Sequence, residues 1–260
     1  MIADRSTDND IARRFVAARR DGVALPVYPG IKPLTMHEAY RIQDEAIALD
    51  ARPVAGWKVG KIDPPLEVRN RLTGPIFADQ VTHDDNAAMP VFAEGFAAAE
   101  AEFLLRLSAA PPPEKKSWSI DEARTMIDAV HVGIEIASSP YPGINADGPL
   151  VTISDFGNNN GLVVGAAIPD WADATLDDWP VTLSIDDTPI GTATTATMLD
   201  GPFGAVRFLL EHAAVRGLKL LPGQWISTGA VTGVHEVRVG DRIEARFGAS
   251  LRIGCTIVAR

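Results

Sequence analysis

Ala97-Ala98-Ala99-Glu100-Ala101-Glu102-Phe103-Leu104-Leu105 is the stretch around which the rest of the chain falls into order. Apolar residues surround two glutamates spaced two apart, and Pro111–Pro113 end the run soon after. On a strand, residues two apart share a face, so Glu100 and Glu102 point the same way. A second apolar run, Val130 to Ala137, is rich enough in β-branched residues to read as a strand. Glu135 stands alone in it, within Val132-Gly133-Ile134-Glu135-Ile136-Ala137.

Outward from these runs the pattern is uneven. Ile11, Phe15 and Val16 recur at helical spacing and Gly22 closes them; a second helix opens at Thr35 with Glu38 in capping-box position. Ser119 and Glu122 form another capping box. From Pro53 the texture changes: Val54, Trp57, Val59 and Ile62 suggest a strand, followed by a turn at Gly74–Pro75. Val181–Ile185 and Ile190–Ala193 read as a hairpin across Asp186 and Asp187. Pro202 starts a helix that Gly217 closes, and the tail alternates from Val237 to Val258. Strands outnumber helices after residue 53 without alternating regularly with them, which disfavours a doubly wound or (β/α)8 plan. The expected class is α+β, with a helical N-terminal cap region over residues 1–80 and a mixed β catalytic core over 81–260.

Composition narrows the function. A net charge of -10 over 260 residues opposes binding to nucleic acid or anionic membranes. Cys255 is the only cysteine, so an internal disulfide and a cysteine-based metal site are excluded. Met1 to Asp10 is polar and acidic, unlike a signal peptide, and no apolar run approaches the roughly 20 residues of a membrane helix. A cytoplasmic address is the default expectation.

Three glutamates in apolar surroundings need an explanation, because an unpaired buried carboxylate is costly. A divalent cation removes that cost: carboxylate oxygens suit a hard ion such as Mg2+ or Mn2+ better than Zn2+. The alternative is that Glu100, Glu102 and Glu135 lie on solvent-facing surfaces. Lys58, in Gly56-Trp57-Lys58-Val59-Gly60-Lys61, is either a partly desolvated acid, base or anchor, or a lysine snorkelling to water. Asp79 and Asp155 close or open loops that deliver polar groups to a site, or simply form turns. Ser227-Thr228-Gly229 is small and hydroxyl-rich, suited to close approach around a carboxylate, or a plain turn. The five histidines occur singly, without metal-type pairing, and no Walker, Rossmann or Gly-x-Ser-x-Gly motif is present.

In order, Gly56–Gly60, Gly74–Asp79, Glu100-Ala101-Glu102, Gly133-Ile134-Glu135-Ile136, Asp155–Gly165, Ser227–Gly233 and Val239-Gly240-Asp241 resemble the 2-keto-4-pentenoate hydratase and 4-oxalocrotonate decarboxylase family of the fumarylacetoacetate hydrolase superfamily. The resemblance spans about residues 35 to 250. It implies the superfamily's mixed β-sheet or β-roll core, with Mg2+ or Mn2+ held by Glu100, Glu102 and Glu135. It further implies proton handling by Lys58 and Asp79, and substrate binding by Asp155, Asn159, Asn160, Ser227, Thr228 and Gly229. The implied reaction is hydration of a 2-hydroxy-2,4-dienoate to a 4-hydroxy-2-oxo acid in aromatic catabolism. The implied partners are that small substrate, further copies of the chain in a homo-oligomer, and a downstream pathway enzyme. Asn158-Asn159-Asn160 departs from the family's small hydroxyl residues and puts the exact substrate in question. Decarboxylation of a 2-oxo-3-enedioate and a non-catalytic partner subunit are the alternatives. A hydrolase is disfavoured because no histidine has a glutamate three residues later.

Overall fold

The change of texture at Pro53 is where sheet structure begins. The computed structural model, which describes residues 5–67 and 69–260, places α1 (Arg5–Asp21) and α2 (Met36–Asp50) before it. Residues 1–4 of the polar start lie outside the described residues. α1 buries Ile11, Ala12, Phe15 and Val16, as its spacing requires. At the start of α2 the Thr35 hydroxyl accepts the Glu38 N–H, while the Glu38 carboxylate accepts the N–H of Leu34.

Beyond these helices come β1 (Val54–Leu66), β2 (Arg69–Phe77), β3 (Val81–Thr82), β4 (Ala87–Val91), β5 (Phe96–Leu107) and α3 (Ile120–Arg124). Then follow β6 (Ile127–Ser139), α4 (Pro149–Ser154), β7 (Asn159–Ala167), β8 (Val181–Ile185), β9 (Thr188–Ala193) and α5 (Gly201–Arg216). The chain finishes with β10 (Trp225–Ser227), β11 (His235–Glu236), β12 (Arg242–Phe247) and β13 (Leu251–Ala259). The larger sheet runs β2-β1-β10-β5-β6-β7-β3, with β11 paired to β5; the smaller runs β4-β13-β12-β8-β9. Parallel pairing at β1–β10, β3–β7 and β4–β13 makes both sheets mixed, in keeping with the expected α+β class. β1 and β2 precede residue 80 yet pair within the larger sheet, so the sheet crosses the boundary drawn from the sequence. No described helix is long and apolar enough to cross a membrane.

Gly74–Pro75 is not a turn. Both residues lie inside β2, an edge strand that tolerates the missing proline N–H. Glycine is needed at 74 because a Cβ there would collide with the backbone carbonyl of Phe156. The β8–β9 hairpin does turn at Asp186 and Asp187, whose φ angles of 47° and 65° match a two-residue turn with both central residues left-handed.

The main core lies between the sheets and beneath α5. It takes Ala99, Ala101, Phe103 and Leu105 from one face of β5, together with Val132, Leu183, Leu209 and Phe247. Alternation therefore sends Glu100, Glu102 and Leu104 to the other face. A one-residue slip would exchange the two sets, and each large apolar side chain withdrawn from the core would cost about 1.5–3 kcal/mol. The core thus fixes where the glutamates point.

Candidate metal centre and active site

β5 and β6 pair antiparallel with Glu100 opposite Glu135 and Glu102 opposite Gly133. One carboxylate oxygen from each glutamate lies within 4.8 Å of the others, and the residues are 6%, 0% and 0% exposed in the order Glu100, Glu102, Glu135. The solvent-facing alternative is thereby removed. β10 places Ser227 beside Leu104 on this face, and β1 places Lys58 beside Ser227. Lys58 Nζ reaches Glu135 Oε1 at 3.1 Å and is buried, so it does not snorkel to water.

Neutral groups complete the ring. Asn159 Nδ2 donates to Glu135 Oε1 at 3.0 Å. The Ser227 hydroxyl donates to Glu102 and lies 3.3 Å from Glu135 Oε2. The Gly229 N–H donates to Glu102 Oε2 at 2.9 Å, from a backbone with φ of 105° that favours glycine. Glu102 Oε1 and Asn159 Oδ1 remain buried without a hydrogen-bond partner.

The charges do not balance. Three carboxylates face one ammonium, the only lysine or arginine paired with them among the described residues. Burial pushes the Glu100 carboxyl up to about 7, against the pull of Lys58 and with the push of Glu135. Burial, with Glu135 and Glu100 beside it, holds Glu102 well above the usual carboxylate range. Burial alone would weaken the Lys58 proton, but Glu135, Glu100 and Glu102 outweigh it and hold the ammonium charged. A closed group of three acid side chains beside a single lysine, with an orphaned carboxylate oxygen and carboxyls whose ionisation is disfavoured without a further cation, fits a hard divalent ion.

The segment Phe156-Gly157-Asn158 brings Asn159 to this ring. All three residues are left-handed, with φ of 54°, 65° and 65°. Gly157 packs against Gly74, and a Cβ at 157 would also press on the Lys58 stem at 3.3 Å. Strain of this kind concentrates where surrounding structure must hold a functional geometry.

Other expected site residues are placed elsewhere. Asp155 makes a buried bidentate pair with Arg19, at 2.5 and 2.9 Å, and Asn160 bonds Arg19 and the Pro90 carbonyl. The Thr228 hydroxyl donates to the Phe103 carbonyl at 2.8 Å. Asp79 is 59% exposed and bonds Arg52 at 3.1 Å through each oxygen, with no contact to the three glutamates. Its position just past the end of β2, in a short 3-10 turn, directs it outward. Arg19 was not singled out by sequence reasoning. The available signal was its spacing: Ile11, Phe15 and Arg19 recur every four residues on the buried stripe of α1.

No model of a known protein family matches the chain. Among solved structures it is similar to 4-oxalocrotonate decarboxylase from Pseudomonas putida G7 complexed with magnesium and adipate, with TM-score 0.83 and 18% identity over 98% of this chain and 99% of that one. Fumarylpyruvate hydrolase from Pseudomonas aeruginosa, in complex with Mn2+ and pyruvate, aligns with TM-score 0.58 and 14% identity over 80% and 91%. 2-hydroxyhepta-2,4-diene-1,7-dioate isomerase from Mycobacterium marinum aligns with TM-score 0.58 and 18% identity over 80% and 77%. These likenesses establish the fold, which is the one the sequence resemblance implied.

Proposed function

We propose that the chain is a metal-dependent enzyme of small 2-oxo acids, and that it hydrates 2-hydroxy-2,4-dienoates. The observation that carries the reading is the buried Glu100/Glu102/Glu135 group with one lysine and an orphaned oxygen. Structural neighbours crystallised with magnesium or Mn2+ support Mg2+ or Mn2+ as the ion. Bound there, a divalent ion would supply Lewis-acid polarisation of a chelating 2-oxo carboxylate.

The chain's own groups fit the remaining chemistry. A 2-hydroxypenta-2,4-dienoate becomes the 2-oxo-3-enoate by losing its hydroxyl proton and gaining one at C5. Water then adds at C4, and the resulting enolate gains a proton at C3 to give 4-hydroxy-2-oxopentanoate. The Lys58 ammonium, held charged by three carboxylates, suits stabilisation of the enolate oxygen. Burial of the site excludes bulk water and strengthens that interaction.

Decarboxylation is the second reading, favoured by the likeness to 4-oxalocrotonate decarboxylase over nearly the full length of both chains. A dicarboxylate would bring a second negative charge. Among the described residues Lys58 is the one cation paired with the carboxylate group, and Arg19 is already committed to Asp155, which favours a monocarboxylate.

The test uses EDTA-stripped protein, fresh 2-hydroxypenta-2,4-dienoate, and Mg2+ or Mn2+ added or withheld. Metal-dependent loss of dienol absorbance with gain of one water, abolished in Glu102→Ala, is the expected result. Release of CO2 from 4-oxalocrotonate without dienoate turnover would replace hydration by decarboxylation. Inertness toward both, with metal bound, would remove the substrate class.

A further inference from the structure

α1 carries the charged side chain of Arg19 into the interior, where it is 2% exposed. Nε and Nη2 donate to the two carboxylate oxygens of Asp155 at 2.5 and 2.9 Å. Nη1 donates to the Asn159 carbonyl and to Asn160 Oδ1, both at 3.2 Å, and Nη2 also reaches the Ser138 carbonyl at 3.1 Å. Ser139 adds a hydroxyl bond to Asp155 Oδ2 at 2.6 Å.

These contacts bracket the left-handed run Phe156-Gly157-Asn158. Asp155 precedes it, Asn159 and Asn160 follow it, and one planar guanidinium holds both ends. Phe156 and Asn158 occupy a region that L side chains rarely adopt, so the run needs such a constraint. Its product is the Asn159 amide on Glu135 Oε1, the oxygen that also meets Lys58.

We propose that Arg19 is a positioning residue for the ion-binding site. By clamping both ends of the strained turn it sets the Asn159 amide, and through it the orientation of Glu135. The inference rests on the metal-site reading above. It also gives Asp155 a different role from substrate contact: it is the anchor of the clamp. Groups that orient a metal-ligating carboxylate commonly change metal affinity about 10- to 100-fold when removed.

The test is a double-mutant cycle on the full-length chain, read by Mn2+ titration calorimetry. Arg19→Lys keeps the buried charge but cannot span the two Asp155 oxygens and the Asn159 carbonyl together. Arg19→Lys and Asn159→Ala are each expected to weaken Mn2+ binding by about tenfold, with the double variant no weaker than either. Should Arg19→Lys fail to fold, Asp155→Asn, which preserves shape, enters the same cycle with the same expectation. Mn2+ affinity unchanged in Arg19→Lys, or losses that multiply in the double variant, would assign Arg19 to packing alone and overturn the proposal. No Mn2+ binding by the unmodified chain would instead overturn the metal-site reading, and this inference with it.

Discussion

Two buried polar clusters meet at Asn159 and are built on opposite principles. Around Arg19, one guanidinium and one carboxylate balance, and the hydroxyl and carbonyl groups beside them are bonded. Around Glu135, three carboxylates share one ammonium, and two oxygens have no partner. Folding accounts for the charge balance of the first cluster, because a buried ion pair survives only when it is well bonded, whatever it also positions. It does not explain the second, which spends stability to keep negative charge gathered in one place. The difference teaches which cluster is scaffold and which awaits a ligand.

The sharpest way to break the comparison is to remove one charge from each side. Arg19→Met strands Asp155 without its cation, and the expected loss is about 3–5 kcal/mol in urea unfolding. Glu102→Gln in metal-free protein replaces a carboxyl whose ionisation is already opposed by burial and by Glu135 and Glu100, so stability is expected to hold or rise by about 1 kcal/mol. Equal losses in both variants would erase the distinction between the clusters.

A second, smaller effect follows from Glu100. Its carboxyl is raised from 4.5 to about 7, so the native state holds the proton more tightly than the unfolded chain does. That stabilisation is complete below about pH 4.5 and is lost as pH rises through about 7, on the order of 3 kcal/mol. Metal-free protein is therefore expected to melt at progressively lower temperature across this window, and Mg2+ or Mn2+ to restore the loss. His212 works with the opposite sign. Desolvation, with Arg216 and Arg69 nearby, lowers it from 6.5 to about 3, so stability falls as pH drops below 6.5. The comparison of wild type with Glu100→Gln isolates the carboxyl, and a melting profile unchanged by that substitution would contradict the assignment.

How much of this was legible in the sequence follows the range of the contacts involved. Glu100, Glu102 and Glu135 could be read because strand alternation is local, and each sits in an apolar run that explains nothing polar. Lys58 stood out in the same way, between apolar residues of a strand-like segment, whereas Ser227 lay in a small, hydroxyl-rich segment that read equally as a turn. Arg19 was harder to read: α1 also carries Arg13, Arg14 and Arg20, and its place on the Ile11–Phe15 stripe does not name its partner, which lies 136 residues away. Gly74 read as a turn because Gly-Pro usually is one, whereas its actual requirement comes from the Phe156 backbone. Asp79 lies in a matching motif, but the direction of a side chain just beyond a strand end depends on neighbours such as Arg52 that a motif does not contain.

Ser227 sharpens the comparison further. Its hydroxyl bonds Glu102 and stands near Glu135, so it belongs to the imbalanced cluster while carrying no charge. Ser227→Ala removes a bond to a carboxylate worth about 1.5–3 kcal/mol, and Mn2+ affinity is expected to fall by about tenfold. The Ser139 hydroxyl bonds Asp155 instead, at 2.6 Å. Ser139→Ala is therefore expected to cost folding stability of similar size with a smaller effect on Mn2+. Reversal of that order would place the functional boundary on the Arg19 side of Asn159.

The smallest effect lies outside both clusters and calibrates them. Ser119 caps α3 through a bond from the Glu122 N–H at 3.1 Å, and Glu122 returns a bond to the Ser119 N–H at 2.8 Å. Everything in this motif is exposed and local, which is why the sequence revealed it in full. Ser119→Ala is expected to cost about 1 kcal/mol, seen as a small drop in Tm, with Mn2+ affinity unchanged. A loss of metal affinity here would mean that any destabilisation weakens the site. Losses at Arg19 and Ser227 would then no longer report positioning, because only an intact affinity in a mildly destabilised chain separates the geometry of the carboxylate group from the stability of the fold around it.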